Sequence, residues 1–364
     1  MTASTFLLKK INTKLPHFFI SYCLTALLIL VSLITNAQNT SKPLTDKQLA
    51  DKALADKMMD SVKMSYLRQA AMRFPLLRQG GISKEIVGRE EVKSDLYGNK
   101  LAESDVRISR IRANFNVPII SSGKNTIGAS VGLLQQRFDF DQTKSFNPEY
   151  PVSDMKVDKT TINLSAFAAR TGTLFNKPVT LSVNLSGLTD QMVSTFRLNM
   201  IAAASMTLKR TATTSYAVGL LVLIDPSAPT PVVPYFNYWH KFDNNWELFL
   251  DLPTRLALRK QVTKKASIAF GSELSGSTAF LDLKEPGLPQ KNLYATLELK
   301  TGPTFEYLVS KSIILGVSGG LFSTVTSRVY DRSAKSDDYF IKNKMGTTPY
   351  INFSISILPF LKAL

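Results

Sequence analysis

Residues Val179 to Ser186 read Val-Thr-Leu-Ser-Val-Asn-Leu-Ser, a strict alternation of apolar side chains with small, uncharged polar ones. A period of two is the geometry of a β-strand, so the two kinds of side chain lie on opposite faces. A polar face without Lys or Glu is typical of a barrel lumen, and a uniform apolar face is typical of a lipid-facing wall. The stretch therefore predicts a transmembrane β-barrel.

The same alternation recurs downstream and sets the size of the predicted barrel. Near Leu133-Leu134 the apolar phase flips, so that Phe138 and Phe140 continue the apolar face, which predicts a β-bulge. Short and long connections alternate, and with both termini on one side this requires a further strand within Glu85–Tyr97. We expect an all-β, antiparallel barrel of about twelve to fourteen strands over residues 83–364.

The first 37 residues have the features of a secretory signal peptide. Lys9, Lys10 and Lys14 precede an apolar run, and Thr35-Asn36-Ala37 approximates a small-residue cleavage site. The apolar run is nearly long enough to span a membrane, so a retained anchor helix is the alternative. Cys23 lies inside this segment, so the exported chain has no cysteine, which suits passage through an oxidising periplasm.

Residues 38–82 form a leader that differs from everything after it. Thr45–Phe74 contains no Gly or Pro, and Leu49-Ala-Asp-Lys52 repeats as Leu54-Ala-Asp-Lys57. Apolar side chains recur every four residues, which gives a modest helical stripe. The leader predicts a periplasmic helix, which is either a solvated spacer or an element that docks on a partner or plugs the lumen. Pro75 and the glycines that follow end the helix.

The charge balance indicates the surroundings of the protein. Lys and Arg number 44 against 28 Asp and Glu, a net charge of +16, with a mean hydropathy of +0.01. This composition fits neither a helical membrane protein nor a disordered chain. The basic excess favours anionic neighbours, whereas scattered basic residues without a recognised module argue against nucleic acid. We expect outer-membrane lipid and lipopolysaccharide as neighbours, the barrel-assembly machinery as a partner, and small solutes.

Three sets of residues have a possible chemical interpretation and a simpler structural one. Gly316-Val-Ser-Gly-Gly320 matches the G-x-S-x-G nucleophile pattern, but its flanks continue a strand and do not turn into a helix. His240 is the only histidine after the signal segment, and no catalytic partner is identifiable. Asp331, Asp337 and Asp338 lie among basic residues, as in a solvated loop. The sequence predicts no catalytic residue, no metal site and no cofactor.

Charged side chains on predicted inward positions are the most informative candidates. Both signs occur on neighbouring strands, so these groups can pair across the lumen or line an aqueous path. The lumen-lining candidates are Arg110, Arg112, Glu247, Asp251, Arg255, Arg259, Glu273, Glu298, Lys300 and Glu306. Aromatic side chains cluster at strand ends, as in the belts at lipid–water interfaces. The predicted interface aromatics are Tyr235, Tyr238, Trp239 and Trp246.

The segment that runs from Pro234-Tyr235 through Trp246 and Leu252-Pro253 to Leu274 resembles an uncharacterised family of Gram-negative outer-membrane β-barrels, known only as a domain of unknown function. That family shows an aromatic strand, a Trp-led strand ending in Leu-Pro, and a further hairpin. The resemblance implies an outer-membrane barrel and supplies no catalytic or binding residues. One departure is residues 358–364, which continue past the last strand, whereas such barrels commonly finish on a terminal aromatic residue.

The sequence therefore predicts a barrel of the bacterial outer membrane, reached after signal-peptide cleavage, that is not an enzyme. The predicted role is passive or facilitated passage of small solutes, with a mild anion preference from Arg110, Arg112, Arg255 and Arg259. The alternatives are a closed barrel with a structural or surface-interaction role, an outer-membrane enzyme acting on lipid, and a secreted β-sandwich. The small polar faces of the strands argue against the sandwich.

Overall fold

A computed structural model describes residues 61–361 except Pro226, Ser227 and Pro229. It contains a helix, α1, over residues 61–73, a 3-10 turn at Pro75–Leu77 and one antiparallel sheet. The predicted signal peptide, Cys23 and the repeat of the leader lie outside the described residues. The first strands are β1 (Gly80–Leu96), β2 (Asn99–Ser122), β3 (Asn125–Ser145), β4 (Met155–Leu174), β5 (Lys177–Asp190), β6 (Phe196–Arg210), β7 (Thr214–Ile224) and β8 (Val232–Lys241). The others are β9 (Trp246–Leu252), β10 (Arg255–Gln261), β11 (Ala266–Asp282), β12 (Lys291–Leu308), β13 (Ile313–Asp331), β14 (Tyr339–Met345) and β15 (Thr347–Ile357).

The sheet closes on itself into a barrel. Each strand from β1 to β12 pairs with the next, and both β14 and β15 lie between β13 and β1. Only Gly346 separates β14 from β15, so these two segments form one interrupted strand of the wall. The barrel therefore has fourteen strand positions, which confirms the predicted fold class. The strand β1 is the further strand that the alternation of connections required, and it begins just before the predicted start at residue 83.

The two ends of the barrel differ in their connections. At the end where β1 begins and β15 ends, here called the terminal end, the turn between β4 and β5 is Phe175-Asn176, with both residues at positive φ. Positive φ at both central residues is the geometry of a tight hairpin turn. At the opposite end, here called the loop end, residues 146–154 and 283–290 form longer connections.

The two halves of the wall have opposite polarity, as β3 shows. In its terminal half Leu133 points outward and is exposed, whereas in its loop half Phe138 points inward and is buried. Arg137, beside Phe138, points outward. Pairing with both neighbours runs without a register shift between Gly128 and Phe140. The predicted β-bulge near Leu133-Leu134 is therefore wrong, since the apolar phase changes where the surroundings of the wall change.

Apolar side chains fill the inside of the loop half. One cluster joins β1, β2, β3 and β13. A second cluster lies above it and takes in side chains of the long loops, including Tyr150 and Leu288. The buried members of the first cluster are Val87, Val92, Val106, Ile108, Phe138 and Phe322. Because full burial of such a side chain contributes about 1.5–3 kcal/mol, this half is built like the core of a soluble barrel.

The barrel wall is shortest at β9 and β10, because each of these strands has only 7 residues. The strand β11 pairs with β10 only as far as Arg255↔Glu273 and then continues to Asp282. In this second part, the carbonyl of Thr278 accepts hydrogen bonds from Gln136 Nε2 at 3.3 Å and Thr161 Oγ1 at 3.0 Å. The loop half of β11 therefore leans across the lumen onto β3 and β4. We call the resulting opening, above the β9–β10 hairpin and between β8 and β11, the notch.

Candidate functional site: the barrel lumen

A buried ion cluster occupies the middle of the lumen. Arg110 is 1% exposed and donates two hydrogen bonds of 2.7 Å to the carboxylate of Glu298, which is 0% exposed. Arg110 Nη1 also lies 3.2 Å from Glu85 Oε1, and Lys300 pairs with the other oxygen of Glu85. Paired, charge-assisted hydrogen bonds of this kind are stronger than neutral ones. Two cations thus face two carboxylates, and the cluster is electrically balanced.

Neighbouring groups hold this cluster in place. The ring of Phe322 lies 5.6 Å from the Arg110 guanidinium carbon, within the range of a cation–π contact. Thr296 donates a 2.6 Å hydrogen bond to Glu298. Glu90, on the apolar side of the cluster, is 6% exposed, and neither oxygen has a hydrogen-bond partner among the described residues. The sequence pattern missed Glu90 because a register shift between Val87 and Glu90 breaks the alternation there.

Helix α1 enters the lumen at the terminal end. Its last residue, Arg73, pairs with Glu247 at 3.4 Å, and Glu247 also pairs with Arg259 at 3.4 Å. Phe74 packs edge-on against Phe249, with ring centroids 5.5 Å apart. Because Glu247, Arg259 and Phe249 are buried inward side chains, the end of the helix lies inside the terminal end of the lumen, whereas Tyr66 earlier in the helix is 70% exposed.

The segment after the helix and the C-terminal tail close the same end. Arg78 donates to Glu306 Oε1 at 2.7 Å and to Ser356 Oγ at 3.1 Å. Gln79 Oε1 accepts from two backbone N–H groups of the tail at 3.4 Å. Leu358 is buried against Ile314 and the helix. Residues 358–361, which follow the last strand, thus pack at the terminal end of the barrel.

Three of the predicted lumen residues remain accessible on the opposite side. Arg255 lies directly across from Asp251 on β9 and from Glu273 on β11. Glu273 is exposed, and the other two are half-buried. Asp251 accepts a hydrogen bond from Asn237, and the guanidinium of Arg255 lies 5.0 Å from the ring centre of Phe249. Arg112 also lies on an inward position beside the ion cluster, with its Nη2 unpartnered among the described residues.

The structure divides the predicted interface aromatics into two pairs. Tyr238 points outward and stacks with His240 at 6.3 Å, and Trp246 points outward beneath Lys260. Tyr235 and Trp239 point inward. Trp239 is only 9% exposed and packs against Phe249 and helix α1. The predicted positions of Tyr235 and Trp239 at the lipid interface are therefore corrected to the lumen. The helix that Trp239 contacts comes from a distant segment that the strand pattern does not reveal.

The residues with a possible catalytic interpretation do not meet. Ser318 lies in the middle of β13 and accepts a hydrogen bond from Asn352 at 3.4 Å. His240 lies on the outer face of β8, and its Nδ1 is 2.8 Å from Thr214 Oγ1. Among the described residues there is no group of three acidic, His or Cys side chains that could hold a metal ion. Over the same part of the chain, no helix combines the length and apolar character needed to cross a bilayer.

No protein-family model matches the chain, and no curated protein matches it. Solved structures do match. An outer membrane channel from Pseudomonas putida F1 has a TM-score of 0.33 at 9% identity and covers 77% of this chain and 96% of its own. The translocator domain of the autotransporter NalP from Neisseria meningitidis has a TM-score of 0.27 at 8% identity, covering 85% and 98%. A Pseudomonas aeruginosa FadL homologue has a TM-score of 0.26 at 9% identity, covering 76% and 89%. Similarity at these scores does not indicate a function for this chain.

Proposed function

We propose that the chain is a channel of the bacterial outer membrane for small solutes, with its path along the β5–β10 side of the lumen. The outer face of the terminal half supports a membrane location, since apolar side chains such as Leu181, which is 55% exposed, form most of that face, with Lys84 on β1 as an exception. Short turns at the terminal end and long loops at the other end are the usual arrangement of periplasmic and external connections.

One observation carries the channel proposal: the lumen is filled on one side only. Arg110 and Glu298 are sealed from solvent, whereas Asp251, Arg255 and Glu273 face inward and remain accessible. Charged groups that keep contact with water inside a barrel are typical of the lining of an aqueous path. In a closed barrel, by contrast, charged side chains in the lumen are expected to be paired and shielded from water.

The arrangement of charges supports little preference for anions. Arg110 is matched by Glu298, and Arg259 shares Glu247 with Arg73 at the end of helix α1, away from the accessible side. Arg255, which belongs to the accessible part, stands between two carboxylates. We therefore expect weak cation preference along this path in place of the anion preference that the arginines alone suggest.

The surroundings and partners follow from this proposal. The chain would reach the outer membrane after cleavage of the predicted signal peptide, be inserted by the barrel-assembly machinery and lie among phospholipid and lipopolysaccharide. Membership of the outer-membrane barrel family that the segment from Pro234 to Leu274 resembles is part of the same proposal. The proposed protein is not an enzyme, which is supported by the separation of Ser318 from His240.

A second candidate is a closed barrel with a structural or surface-interaction role. The observation that favours it is the loop half, where the apolar clusters and the loops above them leave β1–β4 and β11–β14 packed as a dry core. The two candidates differ in a measurable way, because a closed barrel passes no ions.

Planar bilayers test the proposal. Purified protein whose folded state is shown by heat-modifiable gel migration should give discrete conductance steps. The double substitution Asp251→Asn and Glu273→Gln should shift the reversal potential in a salt gradient toward anions. The control is Asp158→Asn, which removes a carboxylate that pairs with Arg137 on the outer surface, and should leave the potential unchanged. Silence from the folded barrel would favour the closed candidate.

A further inference from the structure

The β9–β10 hairpin is too short to reach across the apolar band of a membrane. Each strand has 7 residues. At about 3.3 Å per residue and a tilt of about 45°, such a strand rises about 16 Å. The apolar band of an outer-membrane barrel is about 25 Å tall, and a spanning strand needs about 9–11 residues. The hairpin turn at Pro253-Thr254 therefore lies within the hydrocarbon of the outer leaflet.

The strands on both sides of this hairpin continue past it without partners on that side. The strand β8 has its last pair with β9 at Phe236↔Leu252, and Val232–Tyr235 extend beyond it. The strand β11 leaves β10 after Glu273 and leans inward onto β3 and β4. At the level of the outer leaflet, the notch is therefore an interruption of the hydrogen-bonded wall that faces lipid.

The inner wall beside the notch carries an apolar patch, bounded toward the loop end by the ion pair of Arg197 and Asp225. Ile201 on β6, Leu221 and Leu223 on β7, and Val233 on β8 are register neighbours on inward positions. Ile201 is 41% exposed and the other three are half-buried, so they face the lumen and are not packed in a core. Other large apolar side chains on inward positions of the terminal half, such as Trp239 and Phe249, are buried against one another and the end of helix α1, whereas these four are not. An apolar lining next to a lipid-facing opening favours apolar solutes.

We propose that the notch is a lateral entrance through which small, hydrocarbon-like solutes pass between the lumen and the outer leaflet. This inference rests on the proposed channel function and adds its substrate class. The apolar patch joins the bilayer through the notch, so an apolar solute reaches it without crossing the charged floor of Asp251, Arg255 and Glu273. Ions and polar solutes pass along that charged floor, so the polar and apolar routes separate inside the barrel.

Dye entry into intact cells tests the entrance. Cells that express the protein should take up N-phenyl-1-naphthylamine, an apolar dye that fluoresces in membranes, faster than cells with an empty vector. Leu221→Asp places a charge in the apolar patch and should return the rate to the empty-vector value. The matched control is Ala217→Asp, on the same inward face of β7 but beside Asn237, and it should keep the wild-type rate. All variants are compared at equal amounts of heat-modifiable barrel.

Conductance on the same variants separates this inference from the channel proposal. Conductance with no dye entry above the vector, or with equal dye entry in wild type and Leu221→Asp, overturns the lateral entrance and leaves the channel. Dye entry that depends on Leu221 without any conductance overturns the aqueous path and leaves the entrance.

A reporter cysteine examines the notch directly, since the chain has no cysteine after Cys23. Val233→Cys in liposomes should react with the lipid-soluble N-phenylmaleimide faster than with a sulfonated maleimide. Faster reaction with the sulfonated reagent would show that the site opens to water and not to lipid, and would overturn the entrance. Reaction with the lipid-soluble reagent in a variant that gives no dye entry would show that the site is reached from lipid but admits no solute, and would also overturn the entrance.

Discussion

The terminal and loop halves of the barrel use the same strands with opposite polarity. On β1, Ile82 and Ile86 point outward in the terminal half, whereas Glu91 and Lys93 point outward in the loop half. The interior changes in the opposite sense, from a balanced ion cluster to an apolar core. A membrane-spanning wall and a soluble wall are thus joined end to end, and the boundary passes between Ile108 and Arg110 on β2.

The comparison separates two ways of stabilising a barrel interior. In the loop half, apolar side chains leave water and pack, as in any soluble core. In the terminal half the interior holds charges, and the buried Arg110, Glu298 and Glu247 are tolerated because each has a partner of opposite sign. A change that is mild in one half should therefore be severe in the other.

The largest expected effect is the loss of the cation from the buried ion cluster. Arg110→Met leaves the carboxylates of Glu298 and Glu85 without their shared guanidinium. Removing one partner of a buried pair costs about 3–5 kcal/mol, because an uncompensated charge stays behind. Urea unfolding of the refolded barrel in lipid vesicles measures this loss in the free energy of unfolding.

Its control is the matched pair on the outer surface of the loop half. Arg137→Met breaks the exposed contact of 3.6 Å with Asp158 and should cost no more than about 1 kcal/mol. Equal losses for the two variants would mean that the central cluster is open to water, and the contrast between the halves would fail.

The boundary between the halves can be located with a lysine on the outer face of β3. Leu133→Lys places a charge where the wall faces hydrocarbon and should destabilise the barrel by about 2–4 kcal/mol. Gln135→Lys, two residues further toward the loop end, should change the stability by no more than about 0.5 kcal/mol. The same vesicle unfolding assay compares them. A large loss at position 135 as well would move the boundary toward the loop end.

Loosening the end of helix α1 at the terminal end should change the stability of the barrel less than it changes the passage of ions. Phe74→Ala removes the edge-on contact with Phe249, worth about 1 kcal/mol beyond its buried area, and loosens the end of helix α1. We expect larger single-channel conductance in planar bilayers. Tyr66→Ala, on the exposed face of the same helix at 70% exposure, is the control and should conduct as the wild type does. Identical conductance in both variants would show that the helix does not limit the path.

Sequence alternation was sufficient to predict the wall, and the limits of that prediction have a physical cause. The stretch Val179–Ser186 lies wholly in the terminal half, so its apolar face and its outer face coincide. In β3 the stretch crosses the boundary, and a change of surroundings was interpreted as a bulge at Leu133-Leu134. A period of two states which side chains share a face, but not which face is inward.

For the candidate site, too, the sequence predicted which charged side chains point inward but not which residues they contact. The charged residues on inward positions were found because charges are rare on lipid-facing positions. Their partners were not, since Arg110 and Glu298 are 188 residues apart and Trp239 meets a helix that precedes the barrel. The notch depends on where β10 ends and β11 continues, which the side-chain pattern of either strand alone does not contain.

The smallest expected effect concerns a loop that caps the soluble half, outside the membrane-spanning segments. Asp154 accepts a 2.8 Å hydrogen bond from the backbone N–H of Thr143, and this bond lowers the pKa of the carboxyl group. Because the pKa is lower in the folded state than in the unfolded chain, the contribution to stability is complete above the ordinary Asp value of about 3.9. It is lost as the pH falls through the lower folded-state value. The difference in unfolding midpoint between wild type and Asp154→Asn should therefore be constant from neutral pH to about pH 5 and shrink below about pH 4. A difference that grows on acidification would mean that the loop holds Asp154 protonated, and that the cap is part of the dry interior and not of the solvated exterior.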